Sequence, residues 1–245
     1  MKLKCLGSSS NGNCYIFEAS DGILILEAGI PFSEIKKGLG FKLNGIVGAV
    51  ITHQHNDHAA SMKNLADCGV RIYTSQHVLE SKGLTGHHFC HAIKPMHGYR
   101  IGGFKVFAFP VNHDVPCLGF VIEHAEMGKT LFITDTMMLE YRFQGLDHIM
   151  IEANYADRVL DYNIENGYVP EAMRERLLGS HMELETTKGI LAANDLSKTR
   201  EIILIHLSGD NSNKEMFKDE VERATGLPIY IADKGLELDL SKTPF

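Results

Sequence analysis

Hydrophobic and polar positions follow different patterns in the two halves of the chain. Up to residue 152, short apolar or alternating runs are separated by turn-forming residues, for example at 7–13 and 20–22, which is typical of β-strands. From residue 155 onward, apolar positions recur at helical spacing, with one continuous apolar run at 201–206. The pattern predicts two β-rich halves accompanied by helices. We therefore expect an α/β fold in which two sheets form the core and helices lie outside, an αββα sandwich.

The predicted elements are short and closely spaced. The apolar runs predict strands at 2–6, 14–18, 23–27, 46–52, 71–74, 103–110, 119–123, 130–134, 148–152 and 201–206. Helical spacing and capping residues predict helices at 57–68, 75–81, 156–165, 170–178, 183–194 and 214–225. The last helix leads to a predicted strand pair at 228–232 and 236–240. Neither a linker nor an internal repeat divides the chain, so residues 1–245 are expected to form a single domain.

Composition and charge narrow the possible functions. The chain has 245 residues, of which 44% are hydrophobic and 22% charged, as expected of one globular domain. With 24 Lys and Arg against 31 Asp and Glu, the formal net charge is −7. Basic residues gather along the sequence only in short runs such as Lys36 and Lys37, which argues against a broad surface for duplex nucleic acid. A small phosphate-containing substrate is compatible with this charge.

The sequence also bears on location. No apolar run approaches the roughly 18 residues of a membrane-spanning helix. The opening residues reach glycine and serine before the apolar region of a signal peptide could form. The five cysteines are odd in number and scattered, which indicates reduced thiols rather than disulfides. We therefore expect a cytoplasmic protein that does not associate with membranes.

The segment from His53 to His58 concentrates metal-binding side chains. It reads His-Gln-His-Asn-Asp-His, directly after the apolar run at 46–52 and before a predicted helix. Imidazole nitrogen and carboxylate oxygen suit zinc and similar divalent metals. A loop can direct His53 and His55 at one ion, while the start of the helix directs Asp57 and His58 at a second ion.

Further ligand-type side chains follow other predicted strands. Each ion of a catalytic pair needs about three protein ligands and an open position, so the four groups of the first segment are too few. His113, Asp135 and His206 each come at the end of an apolar run. Together with the first segment they predict a site for two divalent metal ions. Zinc (Zn2+) suits the histidine-rich set best, and manganese (Mn2+) uses similar ligands.

The order His-x-His-x-Asp-His, followed by His113, Asp135 and His206, resembles the metallo-β-lactamase fold of binuclear metallohydrolases over essentially the whole chain. The resemblance implies one ion bound by His53, His55 and His113. It implies a second ion bound by Asp57, His58 and His206, with Asp135 bridging the two. The diiron oxygen-reducing branch has glutamate where His55 stands, so a diiron centre is disfavoured.

Other segments are similar to particular branches of that family. Residues 151–155 resemble the Glu-Ala-Thr segment of the tRNase Z phosphodiesterases, and residues 179–181 resemble the start of their Gly-His-Ser-Thr helix. In that branch the glutamate and the histidine act as a pair beside the leaving group, which implies Glu152 and His181 in this chain. The segments 6–14 and 206–213 are closer still to the WalJ-type exonucleases and to the anti-Pycsar cyclic-nucleotide phosphodiesterases.

The resemblance implies phosphodiester hydrolysis. Asp57 would orient the attacking water or accept its proton, and His181, polarised by Glu152, would protonate the leaving 3′ oxygen. The length and the net charge favour a small substrate, so we expect hydrolysis of 3′,5′-cyclic nucleotides such as cCMP or cUMP, which would counteract an antiviral defence signal. The alternative is a WalJ-like 5′-to-3′ DNA exonuclease. A non-catalytic binding module is disfavoured by the seven intact ligands. The related enzymes are homodimers, and we expect the same here.

Several residues receive structural rather than catalytic expectations. Glu27 stands where many family members have an aspartate that supports the metal loop, and its extra methylene leaves that role open. The run at 87–91 lacks a second ligand pair at a known spacing, so we expect a solvated or lid-like loop. Residues 8–13 are expected to form a tight turn, whose backbone N–H groups could meet a phosphate. Surface or packing positions are expected for His77, His97, His124 and His148.

Overall fold

Fourteen strands and eight helices are present in the computed structural model, which describes residues 1–242. The strands are β1 (Lys2–Gly7), β2 (Cys14–Ala19), β3 (Gly22–Leu26), β4 (Ile46–Val50), β5 (Ile72–Ser75), β6 (Cys90–Ile93), β7 (His97–Ile101), β8 (Phe104–Val111), β9 (Cys117–His124), β10 (Gly128–Ile133), β11 (His148–Glu152), β12 (Glu201–Ile205), β13 (Ile229–Ile231) and β14 (Glu237–Asp239). The helices are α1 (Phe32–Gly38), α2 (Asn56–Ala59), α3 (Met62–Asp67), α4 (Gln76–Ser81), α5 (Asp157–Glu165), α6 (Ala172–Ser180), α7 (Leu184–Ala193) and α8 (Lys214–Thr225).

The strands form two seven-stranded sheets with similar topology. The first has the order β14-β1-β2-β3-β4-β5-β6, and the second has the order β13-β12-β11-β10-β9-β8-β7. Strands β3 to β6 are parallel, as are β10 to β13, and the remaining pairs are antiparallel. Because neighbouring parallel strands end at the same edge of a sheet, the residues that follow β10 and β12 lie at one edge of the second sheet.

The hydrophobic core lies between the sheets. It contains fully buried phenylalanines from both, namely Phe17, Phe104, Phe120 and Phe132. Burying each such ring contributes about 1.5–3 kcal/mol to stability. A second apolar cluster packs α7 and α8 onto the outer face of one sheet, and a third packs α3 and α4 onto the other. The four layers confirm the predicted α/β class, an αββα sandwich in a single domain.

Two predicted elements are wrong in their arrangement. The helix predicted at 57–68 is divided into α2 and α3, because Ser61 turns the chain: its N–H donates to the Ala28 carbonyl at 2.8 Å and its hydroxyl to the Ile30 carbonyl at 2.6 Å. The strand pair predicted near the end of the chain does not form. Instead, β13 lies parallel to β12 in the second sheet, while β14 lies antiparallel to β1 in the first.

Three elements are absent from the sequence prediction, namely α1, β6 and β7. Strands β6 and β7 lie at the edges of the two sheets and are half-exposed, so neither shows a continuous apolar run. Strand β6 begins at Cys90, and the loop predicted at 87–91 is therefore wrong for its last two residues. His124 and His148 are buried, in keeping with a packing role. Among the described helices, none is long and apolar enough to cross a membrane.

Candidate metal centre

The predicted ligands come from the ends of strands in both sheets. The apolar run of β4 continues through Ile51 and Thr52 to His53, and α2 then begins beside His55. His113 follows β8, Asp135 follows β10, and His206 follows β12 directly. The structure brings all seven predicted ligands together. Their donor atoms form two overlapping groups, each within 4.8 Å: His53, His55, His113 and Asp135, and Asp57, His58, Asp135 and His206.

The first group directs imidazole nitrogens at one another. His55 Nδ1 lies 3.0 Å from His53 Nε2 and 3.3 Å from His113 Nε2. His113 Nδ1 donates to the Ser180 carbonyl at 2.8 Å, which leaves a lone pair on Nε2 when the ring is neutral. Burial lowers the pKa values of His53 and His113. Neutral imidazoles with converging lone pairs are what a divalent cation requires, so the donor set fits a metal ion.

The second group mixes carboxylates and imidazoles. His58 Nε2 lies 3.3 Å from both Asp57 Oδ2 and Asp135 Oδ2, and His206 Nε2 lies 3.4 Å from Asp57 Oδ2. Burial lowers the pKa of His206, but the carboxylates of Asp135, Asp57 and Glu152 outweigh it and raise that pKa to about 10. Burial raises the pKa of Asp57, but hydrogen bonds from His206 and His58 outweigh it and hold that pKa below its usual value. The second group therefore offers carboxylate oxygens and imidazole nitrogens at short distances, a donor set that suits a divalent cation.

Asp135 is the residue that the two groups share, as the family resemblance implies. Its backbone has a φ of 49°, and the backbones of His206 and Glu27 have φ values of 55° and 63°. These are three of the five non-glycine residues with positive φ among the described residues. Left-handed backbone costs such residues roughly 1–2 kcal/mol each. The strain is thus concentrated at the site.

Glu27 supports the metal loop despite its extra methylene. Its carboxylate is fully buried, lies 3.6 Å from His58 Nδ1, and accepts from the Thr52 N–H at 3.3 Å. Burial raises the pKa of Glu27, an effect that His58 opposes. The longer side chain therefore contacts both Thr52, which precedes the segment from His53 to His58, and the last histidine of that segment.

Glu152 joins His181 to the second group. Glu152 Oε1 accepts from His181 Nδ1 at 2.8 Å and from His206 Nδ1 at 2.9 Å, while Oε2 accepts from the Thr136 N–H at 3.1 Å. Burial lowers the pKa of His181, but Glu152 outweighs it and raises that pKa. Since Nδ1 is occupied, Nε2 is the nitrogen of His181 that remains for a substrate. The two residues predicted as a pair are in contact.

Sequence reasoning missed the supporting role of the loop at 8–13. Ser8 Oγ accepts from the backbone N–H of His206 at 2.9 Å. Asn13 Nδ2 donates to the Asp57 carbonyl at 3.1 Å and lies 3.1 Å from His58 Nε2. The loop at 8–13 therefore stabilises the backbone at His206 and at Asp57 by hydrogen bonds. The serine and asparagine density of the loop was a signal for side-chain hydrogen bonding to backbone.

The cluster opens into a cavity of about 350 Å³. Its walls include His181, Ser10, Asn154 and the exposed side chain of Arg176. Arg176 is the one Lys or Arg side chain among the described residues that lines this cavity. Asp114, which was not predicted, lies at the mouth with Oδ1 3.0 Å from His113 Nε2.

Comparison with known proteins identifies the family. The model of the β-lactamase superfamily domain matches residues 33–207. The chain belongs to this superfamily. Exodeoxyribonuclease YycJ from Bacillus anthracis is 25% identical over 234 residues, which cover 89% of this chain and 86% of YycJ. The metallo-β-lactamase fold protein YhfI from Bacillus subtilis superposes with a TM-score of 0.74 at 17% identity, covering 97% of this chain and 99% of YhfI.

A further solved structure, the short form of human tRNase Z, superposes with a TM-score of 0.65 at 14% identity, covering 98% of this chain and 99% of that protein. At such identities these structures show the fold alone. The metallo-β-lactamase fold expected from the sequence is thereby confirmed. These findings support a hydrolase of this superfamily, with a cluster of His and Asp side chains that could bind metal.

Proposed function

We propose that the protein is a metal-dependent phosphodiesterase that removes nucleotides from the 5′ end of single-stranded DNA. The observation that carries phosphodiester hydrolysis is the contact of His181 with Glu152 at 2.8 Å, beside two overlapping groups of metal-binding side chains. A general acid placed next to a metal pair suits a substrate whose leaving oxygen needs a proton.

The roles of the residues follow from their contacts. When bound, two divalent ions would polarise the phosphoryl group and lower the pKa of a nearby water. Asp57 is partly exposed and its carboxylate is held ionised by His58 and His206, so it can orient the attacking water and accept its proton. The contact of Glu152 with His181 Nδ1 raises the pKa of that imidazole, which favours its protonated form, and Nε2 would donate to the leaving 3′ oxygen.

One comparison supports DNA as the substrate. YycJ, which matches along most of both chains, is an exodeoxyribonuclease. Such likeness raises the expectation for a nucleic-acid substrate without fixing it, because one fold serves many substrates. We therefore favour a WalJ-like DNA exonuclease over hydrolysis of cyclic nucleotides.

Cyclic-nucleotide hydrolysis is the second candidate. The cavity of about 350 Å³ is small, and Arg176 is the one Lys or Arg side chain that lines it within the described residues, which suits a single nucleotide. A role against a cyclic-nucleotide defence signal depends on this candidate. A homodimer and a cytoplasmic location stay predictions, and the second of these is supported by the five free cysteines.

One competition assay tests both candidates. Zinc- or manganese-loaded protein is incubated with 5′-phosphorylated single-stranded DNA and a mixture of 3′,5′-cyclic nucleotides, and both are followed by chromatography. We expect stepwise release of mononucleotides from the DNA. The variant Asp57→Ala/His58→Ala should be inactive, and Asp219→Ala on the exposed side of α8 should be fully active.

Each outcome of the assay has a distinct meaning. Rapid opening of cyclic nucleotides with intact DNA would refute the exonuclease and establish the second candidate. If both substrates stay intact with two equivalents of bound metal, phosphodiester hydrolysis itself is wrong.

A further inference from the structure

A basic groove lies on the outer face of the second sheet, away from the metal centre. It has a volume of about 670 Å³ and is formed by β7 to β10 and the loop at 142–146. Its charged residues include Arg100, Lys105, Lys129 and Arg142, all exposed, and a single carboxylate, Glu123. In a chain with a net charge of −7, this groove is strongly positive.

The register of the sheet creates the groove. Arg100 is paired with Lys105, Lys105 with Glu123, and Glu123 with Lys129, so the four side chains form one row across four strands. Lys105 Nζ contacts Glu123 at 3.1 Å. Among residues 1–242, no carboxylate lies within 4.0 Å of the cationic groups of Arg100, Lys129 or Arg142. Like charges paired across strands destabilise a sheet, and an anionic ligand would remove this cost.

The floor of the groove is aromatic. Phe107 lies one row beyond Lys105 on the same face of β8, and Phe143 comes from the loop. Both rings are half-buried. The partner of Phe107 on β7 is Gly98, which has open space where a side chain would be. Cations around aromatic rings are the arrangement that proteins use to bind single-stranded nucleic acid, by phosphate contacts and base stacking.

We propose that this groove binds the 3′-ward part of the single-stranded DNA whose 5′ end occupies the metal centre. The inference rests on the proposed exonuclease. Strand β8 runs from the groove toward the site, since Lys105 lies six residues before Val111 and His113 follows. Six residues of strand span about 20 Å. At about 3.4 Å per nucleotide along a stacked strand, DNA longer than about six nucleotides can reach the groove.

The test compares two triple variants with the same net charge. Arg100→Gln/Lys129→Gln/Arg142→Gln removes three groove cations. Its control, Lys42→Gln/Lys198→Gln/Lys218→Gln, removes three exposed lysines elsewhere. Binding of 5′-phosphorylated oligothymidine of 20 and of 4 nucleotides is measured by fluorescence anisotropy. Both variants are made in an Asp57→Ala background, so that no DNA is degraded.

Counterion release sets the expected size of the effect. On single strands, the logarithm of the binding constant falls with the logarithm of the salt concentration by about 0.7 per phosphate contact. Three lost contacts should therefore weaken 20-mer binding about 100-fold at 0.1 M salt and reduce the magnitude of that slope by about 2. The 4-mer should bind both variants equally. Equal 20-mer binding by the two variants overturns the proposal. So does an equal loss for the 4-mer, or a preference for a 20-base-pair duplex.

A variant that should bind DNA more tightly serves as a control, because misfolding could not produce tighter binding. Glu123→Gln removes the one carboxylate of the row and should tighten 20-mer binding about 5-fold at 0.1 M salt, and unchanged binding counts against the groove. Degradation of the 20-mer by the same triple variants, in an otherwise unchanged chain, is measured separately. If the unchanged protein binds the 20-mer through the groove but degrades no DNA, the exonuclease is wrong and the groove stands. If DNA is degraded equally by both triple variants, the groove is wrong and the exonuclease stands.

Discussion

Replacing Gly29 with alanine tests how tightly the backbone of the metal loop is held. Gly29 is buried, and its N–H donates to the Asn13 carbonyl at 2.9 Å. The neighbouring Ala28 N–H donates to the His58 carbonyl at 2.8 Å. A Cβ atom at position 29 would lie 1.6 Å from the Asp57 carbonyl oxygen and 2.6 Å from the His58 nitrogen. The absence of a side chain at Gly29 therefore allows this close approach.

The structure gives the size of the perturbation. Because real Cβ atoms essentially never come within 3.0 Å of such atoms, the Asp57–His58 backbone or Gly29 must move by about 1.4 Å. Overpacking of this kind costs about 3 kcal/mol of folding stability. A displacement of about 1 Å at a catalytic group lowers the rate about 100-fold. We expect both losses together with reduced metal content.

Three measurements check this expectation: bound zinc after gel filtration, kcat/KM on a phosphodiester, and the midpoint of urea unfolding. The control is Gly189→Ala on α7, where a Cβ meets open space. It should leave activity unchanged and raise stability by about 0.5–1 kcal/mol, since alanine suits a helix better. Full zinc content and kcat/KM within twofold of the unchanged protein for Gly29→Ala would refute the reasoning.

Three further expectations concern the acid, the metal and pH. His181→Gln should lower kcat on DNA by a factor of about 10²–10⁴. The loss on bis(p-nitrophenyl) phosphate should be much smaller, because its leaving group needs no proton. Equal losses on the two substrates would count against His181 as the general acid. Protein treated with a chelator should unfold at a Tm about 5–10 °C below that of protein with metal at 100 times its Kd, as measured by calorimetry. An unchanged Tm would mean that the cluster holds no metal. Hydrogen bonds from Ser20, with the amino group of Met1, lower the pKa of Glu126 from 4.5 to about 2, so its stabilisation is present above pH 4.5 and is lost as the pH falls toward 2. The Tm of Glu126→Gln should therefore lie below that of the unchanged protein at pH 6, and the difference should shrink in acid. A difference in Tm that does not change with pH would contradict this expectation.

The sequence predicted which His and Asp side chains cluster, because most of them lie in one short segment or directly after an apolar run. His53, His113 and His206 all follow apolar runs, and the ends of these strands from the two sheets meet at the site. Glu152 and His181 were found by family likeness rather than by spacing. Asn13 escaped prediction because its contacts with the backbone of Asp57 join residues 44 positions apart.

The basic groove shows what the sequence could not predict. Arg100, Lys105 and Lys129 are scattered along the chain, so the sequence predicted no broad nucleic-acid surface. They meet only because of strand register, which depends on which strands pair and not on local composition. The same limit explains the wrong strand pair, since a short turn does not reveal that β13 and β14 belong to opposite sheets.

The left-handed backbone at Glu27, Asp135 and His206 sets a trade-off between stability and activity. At about 1 kcal/mol or more per residue, the three positions together forgo at least about 3 kcal/mol of a folding stability that is typically 5–15 kcal/mol. Glycine at any of them would relieve the strain while it removed a carboxylate or an imidazole. A laboratory selection for thermal tolerance alone would therefore enrich inactive variants at these three positions, and directed evolution of this protein needs an activity screen at every round.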